Sequence, residues 1–480
     1  MTLLEISLLL TGILLPFISS FRSDRTALRW MALLPLAGLT AHALVDGLRW
    51  QMSPIYLFLG VLLVSLLFGK PYFRGHWWWK TLAALFAVLC LSLGYLLATA
   101  LPIFKLPPPT GPHAVGSEYL HLVTPDVNVF TDQADEWREL MIKAWYPARA
   151  SGETPEAFWN KGERVGFAAK YGLPAGQLDY LDRIRTHTLP GAAVAEGAFP
   201  VLLFSHGQYS PATGYYALLQ ELASHGFIIL NINHTYESTG SLFPDGSIRL
   251  YDQAYDRHHN NAEMAELIWQ TMEAYRQTPA GPARDTLLRG PLKEYFAAEI
   301  TRRWSGDIGR VLEQLPTWNQ QSPLAGHLDT TRVGVFGHSQ GGAAAGQALV
   351  DYPMLRAGVN VDGVQWGPMV DTSLARPFLL LSSDWPAEHP DFNPSAYRGG
   401  SSADFYEARI AGTGHASFMD IPYLFTLSAL NEGGTIEPAR ATQISASVIR
   451  SFFDRYLRGA PEDLLKTADS FPELSIRRRE

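Results

Sequence analysis

Gly337-His338-Ser339-Gln340-Gly341-Gly342 is the stretch of this sequence best equipped for chemistry. It follows the apolar run VGVF and opens the small-residue run GGAAAGQALV. A serine framed by glycines between a strand and a helix is a G-x-S-x-G nucleophile elbow. The turn is so sharp that side chains at 337 and 341 would collide with neighbouring elements. It lifts the Ser339 hydroxyl above the sheet, and the helix N-terminus beneath favours developing negative charge.

A nucleophilic serine needs a base, and the base needs an acid to orient it. In strand–elbow–helix enzymes the chain order is Ser, then Asp or Glu, then His. After Ser339 the histidines are His389 and His415. His389 lies in WPAEHPDFNP and reads as a surface-loop residue. His415 lies in the loop Ala411-Gly412-Thr413-Gly414-His415 after the run ARI, where the base should arrive. Two aspartates stand at strand ends: Asp362, 23 residues after Ser339, and Asp384, 45 residues after it. Either could orient His415, because an α/β sheet gathers active groups at the C-terminal ends of its strands. The oxyanion needs two backbone N–H donors. One is the residue after the nucleophile, Gln340. The other should come from His206-Gly207-Gln208 after the run VLLFS, with Gln208 as donor and His206 as a buried pin of the loop.

Positioning these groups takes a mostly parallel sheet covered by helices. Strands are expected at residues 140–146 (stopped by Pro147), 201–205, 227–231, 333–336, 357–361 and 378–381, with a weaker one at 409–410. Helices are expected at 215–225, 260–276, 341–350 and 439–457. The last is amphipathic, with Ile444, Val448, Phe452 and Tyr456 on one face. Such alternation defines an α/β domain. Residues 151–190 and 235–300 read as insertions that form a lid and acyl pocket, with Phe158, Trp159, Tyr171, Tyr236 and Trp269 as candidate lining.

The first 105 residues have another character. Residues 50–69 and 81–104 carry no formal charge, and 17 of the 20 residues from 82 to 101 are apolar. Each suits a membrane span of about 20 residues. Two shorter apolar runs, 6–21 and 30–45, precede them, and Arg22, Arg29 and Arg49 could snorkel to extend these. A cleaved signal peptide fits poorly, since Glu5 stands where a basic region is expected. Arg22, Arg25 and Arg29 in the first loop, with Lys70, Arg74 and Lys80 in the third, place both loops in the cytoplasm. The rest of the chain is then extracytoplasmic. Trp77, Trp78 and Trp79 suit an interfacial aromatic belt. Pro102, Pro107, Pro108, Pro109 and Pro112 mark a stiff linker, dividing a transmembrane anchor (1–105) from a catalytic domain (106–480).

Composition excludes other classes. With 480 residues, 47% hydrophobic and 18% charged, the chain is neither disordered nor fibrous. One cysteine, Cys90, excludes an intrachain disulfide and a multi-cysteine metal site. The net charge of −8 divides into +5 over residues 1–105 and −13 over 106–480. That repels polyanions, so nucleic acid is not an expected partner.

The segments LMIKAWYP, FPVLLFSHGQ, GHSQGG, NVDG and GTGHASF together resemble the calcium-independent platelet-activating factor acetylhydrolases. These are serine esterases of the type II or plasma branch, with an α/β-hydrolase fold. The resemblance covers roughly residues 115–460 and leaves the four apolar helices outside it. It implies Ser339, Asp362 and His415 as triad, because that family draws its acid from the strand after the nucleophile helix. Related polyester hydrolases and cutinase-like esterases draw it from the next strand, here Asp384. The expectation is a membrane-anchored serine carboxylic-ester hydrolase, a lipase or esterase of lipid degradation. It would work through an acyl-enzyme on a small-molecule or lipid acyl ester, with no metal or organic cofactor. Two alternatives stand beside it: a polyester hydrolase using Asp384, and a non-catalytic membrane receptor that retains the fold.

Overall fold

The runs VLLF, IIL and FLLL are apolar throughout, as strands covered on both faces must be, and all three lie in one sheet. The computed structural model describes all residues except 132–135, 151, 387–390, 428–430, 462 and 480. His389 lies outside the described residues. The chain forms two units, Met1–Phe104 with Leu424–Asn431, and Lys105–Tyr423 with Glu432–Glu480.

The first unit is helical: α1 (Leu3–Ser20), α2 (Arg25–Met31), α3 (Leu33–Val45), α4 (Ser53–Leu67) and α5 (Trp77–Ala100). Thr2 and Glu5 form a capping box on α1, and Asp24 caps α2 through the N–H groups of Thr26 and Ala27. Among the described residues, four helical stretches are long and apolar enough to cross a membrane: Leu3–Ser20, Arg25–Val45, Trp50–Leu67 and Trp77–Ala100. Leu8, Leu15, Ile55, Leu59 and Leu62 are buried among them, and Trp77, Trp78 and Trp79 are exposed. Arg22 and Arg29 are exposed, but Arg49 does not reach outward as the sequence suggested. It is buried, and its Nε and Nη2 donate to Glu5 at 2.6 and 2.9 Å while Nη1 donates to Leu101 O at 2.8 Å. The guanidinium finds a carboxylate and backbone carbonyls at the ends of α1 and α5, and so needs no water.

The second unit is mixed α/β. Its strands are β1 (Ala114–Val127), β2 (Trp137–Ala148), β3 (Thr188–Pro190), β4 (Phe199–Ser205), β5 (Ile228–Asn233), β6 (Gly240–Leu242), β7 (Ile248–Leu250), β8 (Leu328–His338), β9 (Leu355–Val361), β10 (Phe378–Ser382), β11 (Phe405–Ile410) and β12 (Leu474–Arg478). Ten of them build one sheet in the order β12-β11-β10-β9-β8-β4-β5-β2-β1-β3, with β6 and β7 as a separate ribbon. From β11 to β5 all pairings are parallel, and antiparallel β12 and β2 flank that block. The helices include α6 (Lys161–Lys170), α7 (Tyr216–Ser224), α8 (Gln253–His259), α9 (Ala262–Gln277), α10 (Pro282–Glu294), α11 (Phe296–Gln321) and α12 (Gln340–Asp351), and Pro438–Arg458 is the last long one.

Several boundaries differ from the expectation. Strand β2 continues past Pro147 to Ala148: the β5 pairing ends at Trp145, so the missing N–H interrupts no β5 bond, while Pro147 still pairs with Val115 of β1 and its carbonyl accepts Ala195 N–H at 2.8 Å. Strands β1 and β12 and the 26-residue helix α11 were not anticipated. Helix α11 buries Phe296, Ile300, Trp304, Ile308, Val311 and Leu315 along one face. The proline segment after α5 has no helix or strand, as a stiff linker should, yet it is held. Thr110 N donates to Glu221 at 2.8 Å, and Gln220 Nε2 donates to Pro107 O at 3.2 Å.

Candidate active site

Chain direction around the sheet reverses between β4 and β8: β4 leads through α7 to β5 on one side, and β8 through α12 to β9 on the other. Open α/β sheets gather ligand-handling groups at such a switch point. The loop after β4 (His206-Gly207-Gln208) and the turn after β8 (Ser339) both stand there.

Ser339 takes φ 57° and ψ −122°, a conformation that L-residues rarely adopt, costing about 1–3 kcal/mol. Its neighbours leave no alternative. A Cβ at 337 would come within 2.2 Å of Gly341 O, and one at 341 within 2.1 Å of Ser205 O. Ser339 N donates to Val361 O at 2.9 Å, locking the elbow to the end of β9. The next residue, Asp362, also has positive φ, 54°.

Asp362 is buried and fully occupied as an acceptor. Ser383 N donates to it at 2.7 Å, Ser383 Oγ at 2.8 Å, Trp385 Nε1 at 3.1 Å and His415 Nδ1 at 2.7 Å. His415 Nε2 makes no hydrogen bond among the described residues and is free for a proton. Asp384 does not contact His415. Its carboxylate accepts Gly412 N–H at 2.8 Å and pairs with Arg409, and its own N–H donates to Thr413 O at 3.0 Å. The Gly412 bond, with Arg409, holds its pKa below the usual carboxylate value despite some burial. Asp384 thus shapes the loop that carries His415.

His338 is buried against both loops. Gly207 N–H donates to Tyr215 Oη at 2.9 Å, and Tyr215 Oη lies 3.0 Å from His338 Nδ1. His338 Nε2 lies 3.0 Å from His415 O. His415 O can only accept, so His338 Nε2–H donates to it; in the neutral ring Nδ1 then accepts the Tyr215 hydroxyl. Burial, with the nearby His415, pushes the His338 pKa well down, consistent with that tautomer. His338, Asp362 and His415 offer ligand atoms within 4.8 Å of one another, as a metal site would require. Both nitrogens of His338 and Nδ1 of His415 are already engaged, so the donor set does not suit a metal.

Around the elbow, the N–H groups of Gln208 and Gln340 have no acceptor among the described residues. The Gln340 side chain is buried, Nε2 donating to Ala297 O at 3.0 Å and to Thr301 Oγ1 at 2.8 Å. His206 is fully buried beneath the Gly207 turn. Of the lid candidates, Phe158 and Trp159 are core residues stacked on one another, Tyr236 is half-buried, and Tyr171 and Trp269 are exposed.

An elbow serine, a histidine held by a buried carboxylate and two unpaired N–H groups at a switch point define the layout of an acyl-transfer hydrolase. The family of platelet-activating factor acetylhydrolase, isoform II, matches residues 99–464, and the chain belongs to that family. It is an ester-hydrolysing enzyme. The platelet-activating factor acetylhydrolase of Gallus gallus is 25% identical over 386 residues, 74% of this chain and 84% of that protein. That of Cavia porcellus is 24% identical over 300 residues, 60% of this chain and 63% of that protein, somewhat under two thirds of its length. A probable 1-alkyl-2-acetylglycerophosphocholine esterase of Arthroderma benhamiae is 23% identical, over 81% of this chain and 97% of that one. The solved structure of a ferulic acid esterase from Streptomyces cinnamoneus shares the fold, with a TM-score of 0.61 at 23% identity over 78% of this chain and 99% of that one.

Proposed function

We propose that the protein is a membrane-anchored serine esterase of the α/β-hydrolase fold that cleaves short acyl esters of lipids through Ser339, His415 and Asp362. The 2.7 Å bond between His415 Nδ1 and Asp362 carries this reading, because it leaves His415 Nε2 as the free, basic nitrogen. In the first half-reaction His415 Nε2 takes the Ser339 proton while Oγ bonds to the ester carbonyl carbon. The carbonyl oxygen becomes an oxyanion that accepts the N–H groups of Gln208 and Gln340. Collapse breaks the carbon–oxygen bond to the alcohol, which leaves with the proton from His415. Water, deprotonated by His415, then attacks the acyl-Ser339 ester, and the acid departs as Ser339 regains its proton. Asp362 keeps His415 in the Nδ1–H tautomer and stabilises the imidazolium.

The relatives named as a platelet-activating factor acetylhydrolase and as a probable 1-alkyl-2-acetylglycerophosphocholine esterase favour a short acyl group on a lipid alcohol as substrate. The four apolar helices and the basic residues at 22–29 and 70–80 support an anchor with both termini outside the cytoplasm. The test is a substrate panel on the full chain in detergent. Acetylated glycerophospholipid and p-nitrophenyl acetate should be hydrolysed well above long-chain phospholipid or polyester film; preference for the film would refute the lipid assignment. Alkaline phosphatase fused after Pro112 should be active, and inactivity there would reverse the topology.

A further inference from the structure

The peptide group between Gly207 and Gln208 is held by its carbonyl end. Gly207 O accepts from His206 Nδ1 at 2.7 Å, from Ser210 Oγ at 2.6 Å and, at the longer distance of 3.3 Å, from Ser210 N. The carbonyl and N–H of a trans peptide point in opposite directions in one plane, so the donors on Gly207 O fix where the Gln208 N–H points. His206 is itself fixed, since its Nε2 accepts the backbone N–H of His234 at 3.2 Å. Donating at Nδ1 and accepting at Nε2 requires the neutral ring. Burial, aided by His234, pushes the His206 pKa to about 3, which keeps it neutral.

His234 is anchored in turn. Its Nδ1 donates to Asp307 Oδ2 at 2.7 Å, and its Nε2 accepts from Ser205 Oγ at 3.1 Å. Trp304 stacks on it at 3.9 Å and 8°, and also packs on His206 at 5.0 Å. Asp307 is clamped by Arg138 through two bonds of 2.7 Å. Ser205, His206 and His234 are fully buried and Asp307 almost so, which leaves this second Ser–His–Asp arrangement no access to substrate. Ala297 and Thr301, which hold Gln340, share α11 with Trp304 and Asp307. The spacing of these four residues puts them along one face of that helix.

We propose that His206, His234 and Asp307 are positioning residues that aim the Gln208 N–H at the oxyanion, with α11 as the common brace of both donors. This rests on the reading of Ser339 as nucleophile and Gln208 as donor.

The experiment is steady-state hydrolysis of p-nitrophenyl acetate by the full chain in detergent, with thermal melts alongside. In His206→Asn the amide nitrogen can replace Nδ1 as donor to Gly207 O; in His206→Gln the amide reaches the Nε2 position instead. His206→Gln should lower kcat about 100-fold with KM within about threefold, the scale of losing one oxyanion donor. His206→Asn should stay within about fivefold of the parent, although both variants lose similar stability. His234→Phe keeps the stack on Trp304 but loses Asp307 and Ser205, and should lower kcat about tenfold at unchanged KM. Equal kcat losses in the two His206 variants, a loss expressed in KM, or parental kcat in His234→Phe each overturn the proposal. A parent that itself neither hydrolyses the ester nor reacts at Ser339 would refute the esterase reading as well, whereas an active parent with indifferent variants refutes only this positioning role.

Discussion

His415 Nδ1 and Asp362 Oδ2 stand 2.7 Å apart although 53 residues of chain separate them. Asp384, 22 residues beyond Asp362, instead holds the start of the same loop through Gly412 N–H at 2.8 Å. One aspartate meets the imidazole; the other sets the path of the backbone that brings it.

That division of labour separates two variants. Asp362→Asn should lower kcat about 10⁴-fold, the scale seen when an orienting carboxylate is lost and the wrong tautomer results. Asp384→Asn retains an acceptor for Gly412 and should cost under tenfold. Melting temperatures measured alongside separate chemistry from folding. A collapse of kcat in Asp384→Asn with near-parental Asp362→Asn would exchange the two roles.

The buried Glu5–Arg49 pair predicts a non-additive result. Removing one partner leaves an uncompensated buried charge and should destabilise the helical unit by about 3–5 kcal/mol, whereas apolar replacement of both is often neutral. Glu5→Leu and Arg49→Met should each lower the melting temperature in detergent, and the double variant should recover most of the loss. Additive losses would mean that the pair is solvated.

Asp420 predicts a pH dependence of stability. It accepts Tyr216 N–H at 2.5 Å and Ala217 N–H at 3.1 Å, and burial pushes its carboxyl up to about 7. An unfolded aspartate titrates near 4. With the folded value raised, the protonated form is favoured, so its stabilisation is complete below about pH 4 and is lost as pH climbs to about 7. Asp420→Asn removes that loss. Its unfolding free energy relative to the parent, measured by denaturant titration, should therefore rise between pH 5 and pH 8 by about a few kcal/mol. A relative fall would show that the two N–H groups hold the carboxylate ionised.

The sequence made the elbow legible because strand, glycine-framed serine and small-residue helix are contiguous, and chain order then narrowed the base to His415. It left Asp362 and Asp384 open, since both end buried strands and only the course of the 411–415 loop decides which side chain meets the ring. Helix α11 went unseen although Phe296, Ile300, Trp304, Ile308 and Val311 recur at helical spacing, because its first turn falls inside the stretch 235–300, which read as an insertion. The His206–His234–Asp307 chain went with it. Strand β1 was hidden by Pro125, and the Glu5–Arg49 pair by a sequence separation of 44 residues that only helix packing closes.

Everything proposed for the site depends on Ser339 being an activated nucleophile. The most direct measurement is labelling of the folded full chain with a fluorophosphonate probe, followed by mass spectrometry of the modified peptide. One equivalent of probe should attach to Ser339 and none to Ser339→Ala, and labelling should slow strongly in Asp362→Asn. Folded protein that hydrolyses esters yet carries no label on Ser339, or carries it on another serine, would show that Ser339 is not the nucleophile.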